Sequence, residues 1–340
     1  MRKNHKHIVI IFIVIGLLAI AAAGILLNIG SVFKDTKAPA LSLKGDKIIN
    51  LNINDKYTEL GATATDSRDG DLSAKIVTSS NVNTSRIGEY HVIYDVADKS
   101  GNKAYQERIV NVLPPATNNT SGVPILMYHF FYDSSKGETP QDSNFTDVVV
   151  FDQQMKYLHD NNYYFPTWSE LNDYFDGKLN LPQKSIIITD DDGSSTFFSL
   201  AYPVLVKYQI PATSFLITSW SGDPAQFNVD RNLISFQSHS DAMHTGGCDT
   251  GHGGLFQCID YQSGYDDLQK SIQIVGSNDV FCYPFGDYND FTKQLLRDTG
   301  FKFAVTTEWG TAQLGMNKLA LPRVRIQGTY DLADFIAVIQ

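Results

Sequence analysis

The chain has 340 residues, of which 43% are hydrophobic, and its net charge is −10. A chain of this size can bury more than one globular core, and its three cysteines are too few for a disulfide scaffold. The negative charge argues against a nucleic-acid partner, because phosphate backbones would repel it.

The N-terminus begins with a long uncharged run, IVIIFIVIGLLAIAAAGILLNIGSVF, over residues 8–33. This run exceeds the roughly 20 apolar residues that a membrane-spanning helix needs. The alternative is a signal peptide cleaved near AIAAAG, but apolar residues continue beyond that point. We therefore predict a transmembrane anchor in residues 1–33. The bases Arg2, Lys3 and Lys6 predict a cytoplasmic N-terminus, which makes this a single-pass cell-membrane protein with its later domains outside the cell.

Residues 34–113 contain short alternating runs, such as EYHVIYDVA and ERIVNVL, between the turn clusters SRDGD and DKSGN. This period-two pattern predicts an all-β sandwich. The stretches GATATDSRDGDLS and VNTSRIGEYHVIYDVADKSGN resemble the immunoglobulin-like domains of bacterial surface proteins, which act mostly as spacers or adhesive modules. The acids of DSRDGD could bind calcium, but Asp and Gly also form ordinary turns, and we favour the turn interpretation.

Residues 114–122 are rich in Pro, Asn, Thr and Gly and are predicted to be a linker. From residue 123 to 340, apolar runs alternate with segments of helical spacing, which indicates a parallel sheet. Seven such runs predict a distorted (β/α)7 barrel rather than an open sheet. The predicted strands are VPILMY, SIIITD, ATSFLI, LISFQS, DVFCY, FAVTT and LPRVRI.

Polar residues stand at or just after the ends of several of these predicted strands, and the last strand carries two arginines; β/α barrels place their active sites at these ends. In chain order they are His129, Asp190, Asp191, Asp192, Ser238, His239, His244, Tyr283, Arg323 and Arg325. Three adjacent aspartates would repel one another unless a cation neutralises part of their charge. An N-cap for the next helix would explain one aspartate but not three. Together with two histidines, they predict a catalytic divalent-metal site.

Three motifs of this predicted rim have counterparts in a known family. TDDDG (189–193) and HSDAMH (239–244) resemble motifs of the polysaccharide deacetylases, the NodB-homology carbohydrate esterases, and CYPFG (282–286) resembles their third motif. The resemblance extends over residues 123–340. It implies that Asp191 is the general base and that a divalent metal, preferably Zn, is bound by Asp192, His239 and His244.

The chain departs from the common family pattern at three places. No histidine follows His252, so the usual C-terminal general acid is absent. Instead, PILMYHFF (124–131) resembles the permuted poly-N-acetylglucosamine deacetylases, which implies that His129 is the acid. Cys282 stands where the third motif usually has an arginine, and either Arg323 or Arg325 could replace it. Asp190 replaces an aromatic residue and is expected to raise the pKa of Asp191.

The resemblance implies a metal-dependent hydrolysis of acetamide groups on N-acetylglucosamine-type units of a cell-wall or cell-surface polysaccharide. Asp191 would deprotonate water, the backbone N–H of Phe285 would stabilise the oxyanion, and His129 would protonate the leaving amine. The aromatic residues Tyr283, Trp220 and Trp309 are candidates for stacking on sugar rings.

Two alternatives remain open at this point. Asp190 and the missing third-motif arginine are compatible with a catalytically silent carbohydrate-binding or adhesion protein. An O-acetyl esterase would need the same machinery as an N-deacetylase. We also predict a disulfide between Cys248 and Cys258, while Cys282, on a barrel strand, should be buried and unpaired.

Overall fold

The structure is a computed structural model that describes residues 34–340. The predicted transmembrane anchor lies outside the described residues. Within residues 34–340, no helix combines the length and the apolar character required to cross a membrane. The chain divides into two compact units, with the boundary between Leu113 and Pro114.

The first unit is a β-sandwich built from seven strands. They are β1 (Ala40–Leu43), β2 (Ile48–Asn52), β3 (Ala62–Asp66), β4 (Gly70–Asp71), β5 (Val77–Ser80), β6 (Gly88–Ala97) and β7 (Lys103–Leu113). One sheet has the order β1-β3-β4 and the other has the order β2-β7-β6-β5. Alternate residues of β6, namely Val92, Tyr94 and Val96, are buried in the core, as the period-two pattern predicts.

The second unit contains a closed barrel of parallel strands in the order β11-β12-β13-β14-β15-β16-β8. All seven predicted runs are strands of this barrel, so the predicted (β/α)7 barrel is confirmed. The strands of this unit are β8 (Ile125–Tyr128), β9 (Phe130–Tyr132), β10 (Phe145–Asp147), β11 (Ile187–Asp190), β12 (Ala212–Leu216), β13 (Ile234–Ser238), β14 (Val280–Cys282), β15 (Phe303–Trp309) and β16 (Leu321–Arg325). The short strands β9 and β10 pair with each other outside the barrel.

Helices cover the barrel through their apolar faces. They are α1 (Val148–Asp160), α2 (Trp168–Phe175), α3 (Tyr202–Tyr208), α4 (Thr218–Ser221), α5 (Tyr261–Val275), α6 (Asp290–Asp298) and α7 (Leu332–Ile339). On α1, Phe151, Met155 and Leu158 are fully buried against the barrel, as their spacing predicts. Because all seven barrel strands run in the same direction, their carboxyl ends form one rim, which carries the site described next.

Candidate active site

The turn after β11 separates the three adjacent aspartates. Asp190 still belongs to the strand, and its Oδ2 accepts a hydrogen bond from Ser214 Oγ of β12 at 3.1 Å. Asp192 and Gly193 follow with left-handed φ angles of 70° and 61°. A Cβ atom on Gly193 would lie 2.4 Å from Leu216 Cδ2, so the turn requires glycine there. The turn therefore directs the three carboxylates into different surroundings.

Asp191 forms a buried, bidentate ion pair with Arg323. Arg323 Nη1 donates to Oδ1 at 2.7 Å and Nη2 donates to Oδ2 at 2.6 Å. Arg323 is held in turn by Thr306 O at 2.8 Å and Thr189 Oγ1 at 3.1 Å. Burial opposes the charge of Asp191, but the Arg323 guanidinium holds the pKa of this carboxyl well below its usual range. Asp191 is therefore ionised and fixed in orientation.

Asp190 does not act on Asp191 as the sequence predicted. Burial, together with the adjacent charge of Asp191, raises the pKa of Asp190 well above its ordinary value. Its side chain is fully buried, and within the described residues its Oδ1 has no hydrogen-bond partner. The expected rise in the pKa of Asp191 is wrong: Arg323 lowers that pKa, and the pKa of Asp190 is the one that is raised, by burial and by the charge of Asp191.

Asp192, His239 and His244 converge on one point at the rim. Asp192 Oδ1 lies 3.5 Å from His239 Nε2 and 3.5 Å from His244 Nε2. Across the described part of the chain, this buried carboxylate oxygen is among the few polar side-chain atoms without a hydrogen-bond partner. One carboxylate and two imidazole nitrogens are a common donor set for a catalytic divalent metal. The residues present therefore fit the metal that the sequence predicted.

The two histidines are prepared for this geometry by their neighbours. His239 Nδ1 donates to the carbonyl of Cys282 at 2.8 Å, which leaves Nε2 to face Asp192. Burial lowers the pKa of His244 to about 4, with the charge of His239 as the next cause, so His244 is neutral. Asp191, His239 and Cys282 form a second group with ligand atoms within 4.8 Å. Arg323 already occupies both oxygens of Asp191, so this second group is a poorer metal site.

His129 follows β8 and therefore precedes Asp191 in the chain, whereas the histidines of the metal group (Asp192, His239 and His244) follow Asp191. Its Nε2 lies 3.8 Å from Asp191 Oδ2, and its backbone carbonyl accepts a hydrogen bond from Ser194 Oγ at 3.1 Å. Burial lowers the pKa of His129, although the charge of Asp191 acts in the opposite direction. The predicted acid and the predicted base are thus neighbours on the same rim.

Phe285 has an unusual backbone next to the metal group. Its φ of 60° lies in the left-handed region, which is rare for a bulky residue and typical of functional sites. Its ring stacks on His244 with 4.5 Å between the centroids. Gly286, which follows, could not carry a side chain, since a Cβ would lie 2.1 Å from Thr307 Oγ1. Packing thus fixes the Phe285 backbone beside His244.

The aromatic candidates divide into one buried and two exposed residues. Tyr283 is 1% exposed, and its hydroxyl donates to Leu319 O at 2.9 Å, so the prediction that it contacts substrate is wrong. Its apolar ring fills the core between Phe281 and Tyr288. In contrast, Trp220 is 66% exposed and its ring meets His244 edge-on, and Trp309 is 58% exposed at the end of β15.

The other predicted residues are placed as follows. Arg325 donates to Asn144 Oδ1 and not to Asp191, so Arg323 is the arginine that contacts Asp191.

Cys248 and Cys258 are free thiols in the structure, against the predicted disulfide. The two thiols still interact with each other, because each is the largest influence on the pKa of the other, and Cys248 Sγ also contacts Thr250 Oγ1 while Cys258 Sγ contacts Gly247 O. Cys282 is buried and free.

The sequence reasoning missed one residue that supports the metal group. Asp267 of α5 accepts hydrogen bonds from the backbone N–H groups of Asp241 and Ala242, at 2.8 and 2.7 Å. These two residues lie between His239 and His244 in the chain, so Asp267 holds the loop that carries both histidines. The signal was present in the sequence: Asp267 is a charged residue on the apolar face of an amphipathic helix.

Family models match both units of the chain. Residues 41–112 match the bacterial surface protein Ig-like domain, and residues 178–304 match polysaccharide deacetylase. The second match contains Asp191, Asp192, His239 and His244. His129 and Arg323 lie outside it, one on each side.

Curated proteins from two bacterial species are similar to this chain. The Bacillus subtilis protein YxkH, named as a polysaccharide deacetylase, is 29% identical over 66% of this chain and 78% of its own length. A Staphylococcus aureus poly-beta-1,6-N-acetyl-D-glucosamine N-deacetylase is 27% identical over 58% of this chain and 72% of its own length.

Two solved structures have the same fold. The Streptococcus pyogenes deacetylase PplD, in complex with acetate, has a TM-score of 0.55 and 24% identity, covering 64% of this chain and 98% of that one. IcaB from Ammonifex degensii has a TM-score of 0.54 and 23% identity, covering 66% of this chain and 100% of that one.

Proposed function

Since this chain is a polysaccharide deacetylase, a hydrolase with an immunoglobulin-like surface domain, we propose that it removes N-acetyl groups from a poly-N-acetylglucosamine-type polysaccharide. The observation that carries the proposal is the ionised Asp191, held by Arg323 and next to His129, on the rim where Asp192, His239 and His244 also converge. The named activity of the Staphylococcus aureus relative supports this class of polymer and an amide bond as the target.

Asp192, His239 and His244 would hold a divalent metal, preferably Zn. When bound, such an ion polarises a carbonyl group and makes a nearby water more acidic. The ionised state of Asp191 equips it to accept a proton from the attacking water, and its bidentate contact with Arg323 keeps the accepting oxygens in place.

The remaining steps use groups next to Asp191. The backbone N–H of Phe285 would donate to the negative charge that develops on the amide oxygen. His129 would donate a proton to the amide nitrogen as the C–N bond breaks, so that the products are acetate and a free amine on the sugar. His129 Nε2 lies 3.8 Å from Asp191 Oδ2, so both side chains can act on one reacting centre.

Trp220 and Trp309 would contact the polymer. Both side chains are more than half exposed on the barrel rim, and Trp220 meets the metal-group residue His244. Exposed aromatic rings bind the apolar faces of sugars well, because they offer large rigid contact area. A polymer lying across the rim would therefore meet exposed aromatic rings near the reacting acetamide.

Acetate release from purified polymers tests the proposal. Poly-N-acetylglucosamine, peptidoglycan and an O-acetylated polymer should be compared with matched amounts of protein, and Asp191→Asn serves as the inactive control. We expect release from poly-N-acetylglucosamine, loss of release on chelation, and recovery on adding Zn. Release from the O-acetylated polymer alone would identify an esterase, and no release from any polymer would favour the silent binding protein.

We also propose that residues 8–33 anchor the protein in the cell membrane with its catalytic domain outside. The uncharged run and the preceding bases support this proposal. The native protein should fractionate with membranes, and protease added to intact cells should remove the catalytic domain. A mature N-terminus found near Gly24 would instead indicate a cleaved signal peptide.

A further inference from the structure

Three aspartates that are far apart in the sequence meet in the immunoglobulin-like unit. Asp35 precedes β1, Asp66 ends β3, and Asp98 follows β6. One carboxylate oxygen from each lies within 4.8 Å of the other two. Their exposed fractions are 7%, 8% and 7%, so the three carboxylates meet beneath the surface.

Within the described residues, one oxygen of this cluster has no partner. Asp66 Oδ1 accepts from the backbone N–H groups of Arg68 and Asp69, at 2.7 and 2.9 Å, whereas Asp66 Oδ2 is buried without any hydrogen bond. A buried carboxylate oxygen without a donor or a cation is costly. The turn therefore accounts for one oxygen of Asp66, Oδ1, and leaves the burial of Oδ2 unexplained.

The other two carboxylates are oriented by their neighbours. Asp35 Oδ1 accepts from the N–H of Lys37 at 3.1 Å. Asp98 accepts from the backbone N–H of Asn102 at 2.8 Å and from its side-chain amide at 2.6 Å. That amide also donates to Asp35 O at 3.1 Å, so Asn102 ties the segment before β1 to the loop after β6.

Arg68 supplies some positive charge, but not enough for three carboxylates. Its Nε lies 3.9 Å from Asp35 Oδ2, and its side chain is 51% exposed. At this distance and exposure the guanidinium offsets little of the repulsion. Lys37, whose charge also lowers the pKa of Asp66, is exposed to solvent as well. A small divalent cation would satisfy Asp66 Oδ2 and neutralise the cluster at once.

We propose that Asp35, Asp66 and Asp98 form a calcium-binding site. Its donors are carboxylate oxygens, which are the ligands of hard cations, and no nitrogen or sulfur donor belongs to the group. Calcium accepts the irregular arrangement that three loops provide, whereas magnesium needs near-ideal octahedral geometry and gives up water reluctantly. The ion would clamp the segment before β1 to the loops that follow β3 and β6.

Hydrogen–deuterium exchange of the full chain, loaded with Zn, tests this site locally. Added Ca²⁺ should slow exchange in residues 34–37, 66–71 and 98–102, with half of the effect at about 10⁻⁴ to 10⁻³ M, as in extracellular calcium modules. No protection there at millimolar Ca²⁺, or equal protection by Mg²⁺, would overturn the assignment.

Asp66→Asn is the decisive variant, because its side-chain oxygen can still accept from Arg68 and Asp69 while the charge is lost. It should raise the Ca²⁺ concentration for half protection about tenfold or more, since ligand charge tunes calcium affinity. Asp71→Asn is the matched control: Asp71 lies in the same segment, contacts Ser73 and should respond like the wild type. An Asp66→Asn response equal to the wild type would refute the site.

Asp35→Asn provides a second test of the site in case Asp66→Asn does not fold. Its side-chain oxygen can keep the contact with Lys37, and it should weaken Ca²⁺ protection in the same way. Exchange in β6 and β7 without Ca²⁺ should match the wild type for each variant that folds. If Asp66→Asn does not fold, a wild-type response of Asp35→Asn would overturn the proposal.

Discussion

Arg323 determines the position and the charge state of Asp191. Arg323→Lys should lower kcat about 100-fold, the effect of misplacing a catalytic group by about 1 Å, because a lysine ammonium cannot make the bidentate contact. Steady-state acetate release measures this, and Zn content should not change. Arg325→Lys is the matched control, because Arg325 contacts Asn144, and it should keep its activity. Near-normal kcat in Arg323→Lys would show that Asp191 does not depend on this pair.

His129 is the residue whose role is most open to a direct test. His129→Ala should lower kcat by about 10²- to 10⁴-fold, as expected for loss of a general acid, with Zn content and fold retained. His159→Ala, at an exposed histidine of α1, should behave like the wild type. Turnover close to normal, or loss of Zn together with activity, would contradict the assignment of His129 as the acid.

At the scale of elements, α5 positions the loop between the two histidines of the metal group. Asp267→Asn keeps the size of the side chain but leaves one carbonyl oxygen for two backbone N–H donors. We expect Zn affinity to fall about 10- to 100-fold, as for other residues that orient metal ligands. Competition with a chromophoric chelator measures this affinity.

The adjacent Asp266 offers a control on the same helix. It is exposed and accepts a hydrogen bond from Gln262, away from the histidine loop. Asp266→Asn should therefore bind Zn like the wild type. Equal Zn affinity in the two variants would mean that Asp267 stabilises α5 without positioning the loop.

At the scale of the whole molecule, each unit has a hydrophobic core of its own. Leu41, Val92 and Val110 belong to one core, and Leu126 and Phe151 belong to the other. A protein of residues 114–340 should therefore fold and release acetate from soluble N-acetylglucosamine oligomers with a kcat close to that of the longer chain. Aggregation, or loss of cooperative thermal unfolding, would show that the catalytic unit depends on residues 34–113.

The sequence by itself determined the strands of the barrel and the residues on its rim. Each of the seven strands is a short apolar run, because both faces of a parallel sheet are buried. Once those runs belong to one barrel, their carboxyl ends share an edge, which is why Asp192, His239 and His244 could be grouped in advance.

Only the tertiary structure decided which buried side chains contact each other and which segments that are far apart in the sequence meet. Arg323 and Arg325 point to the same face of β16, so the pattern could not separate them. The register of the barrel places Arg323 at the buried Asp191 and Arg325 beside Asn144. Asp35, Asp66 and Asp98 lie before β1, at the end of β3 and after β6, and local patterns carry no information about which of these segments meet. Long-range packing of the two sheets brings them together.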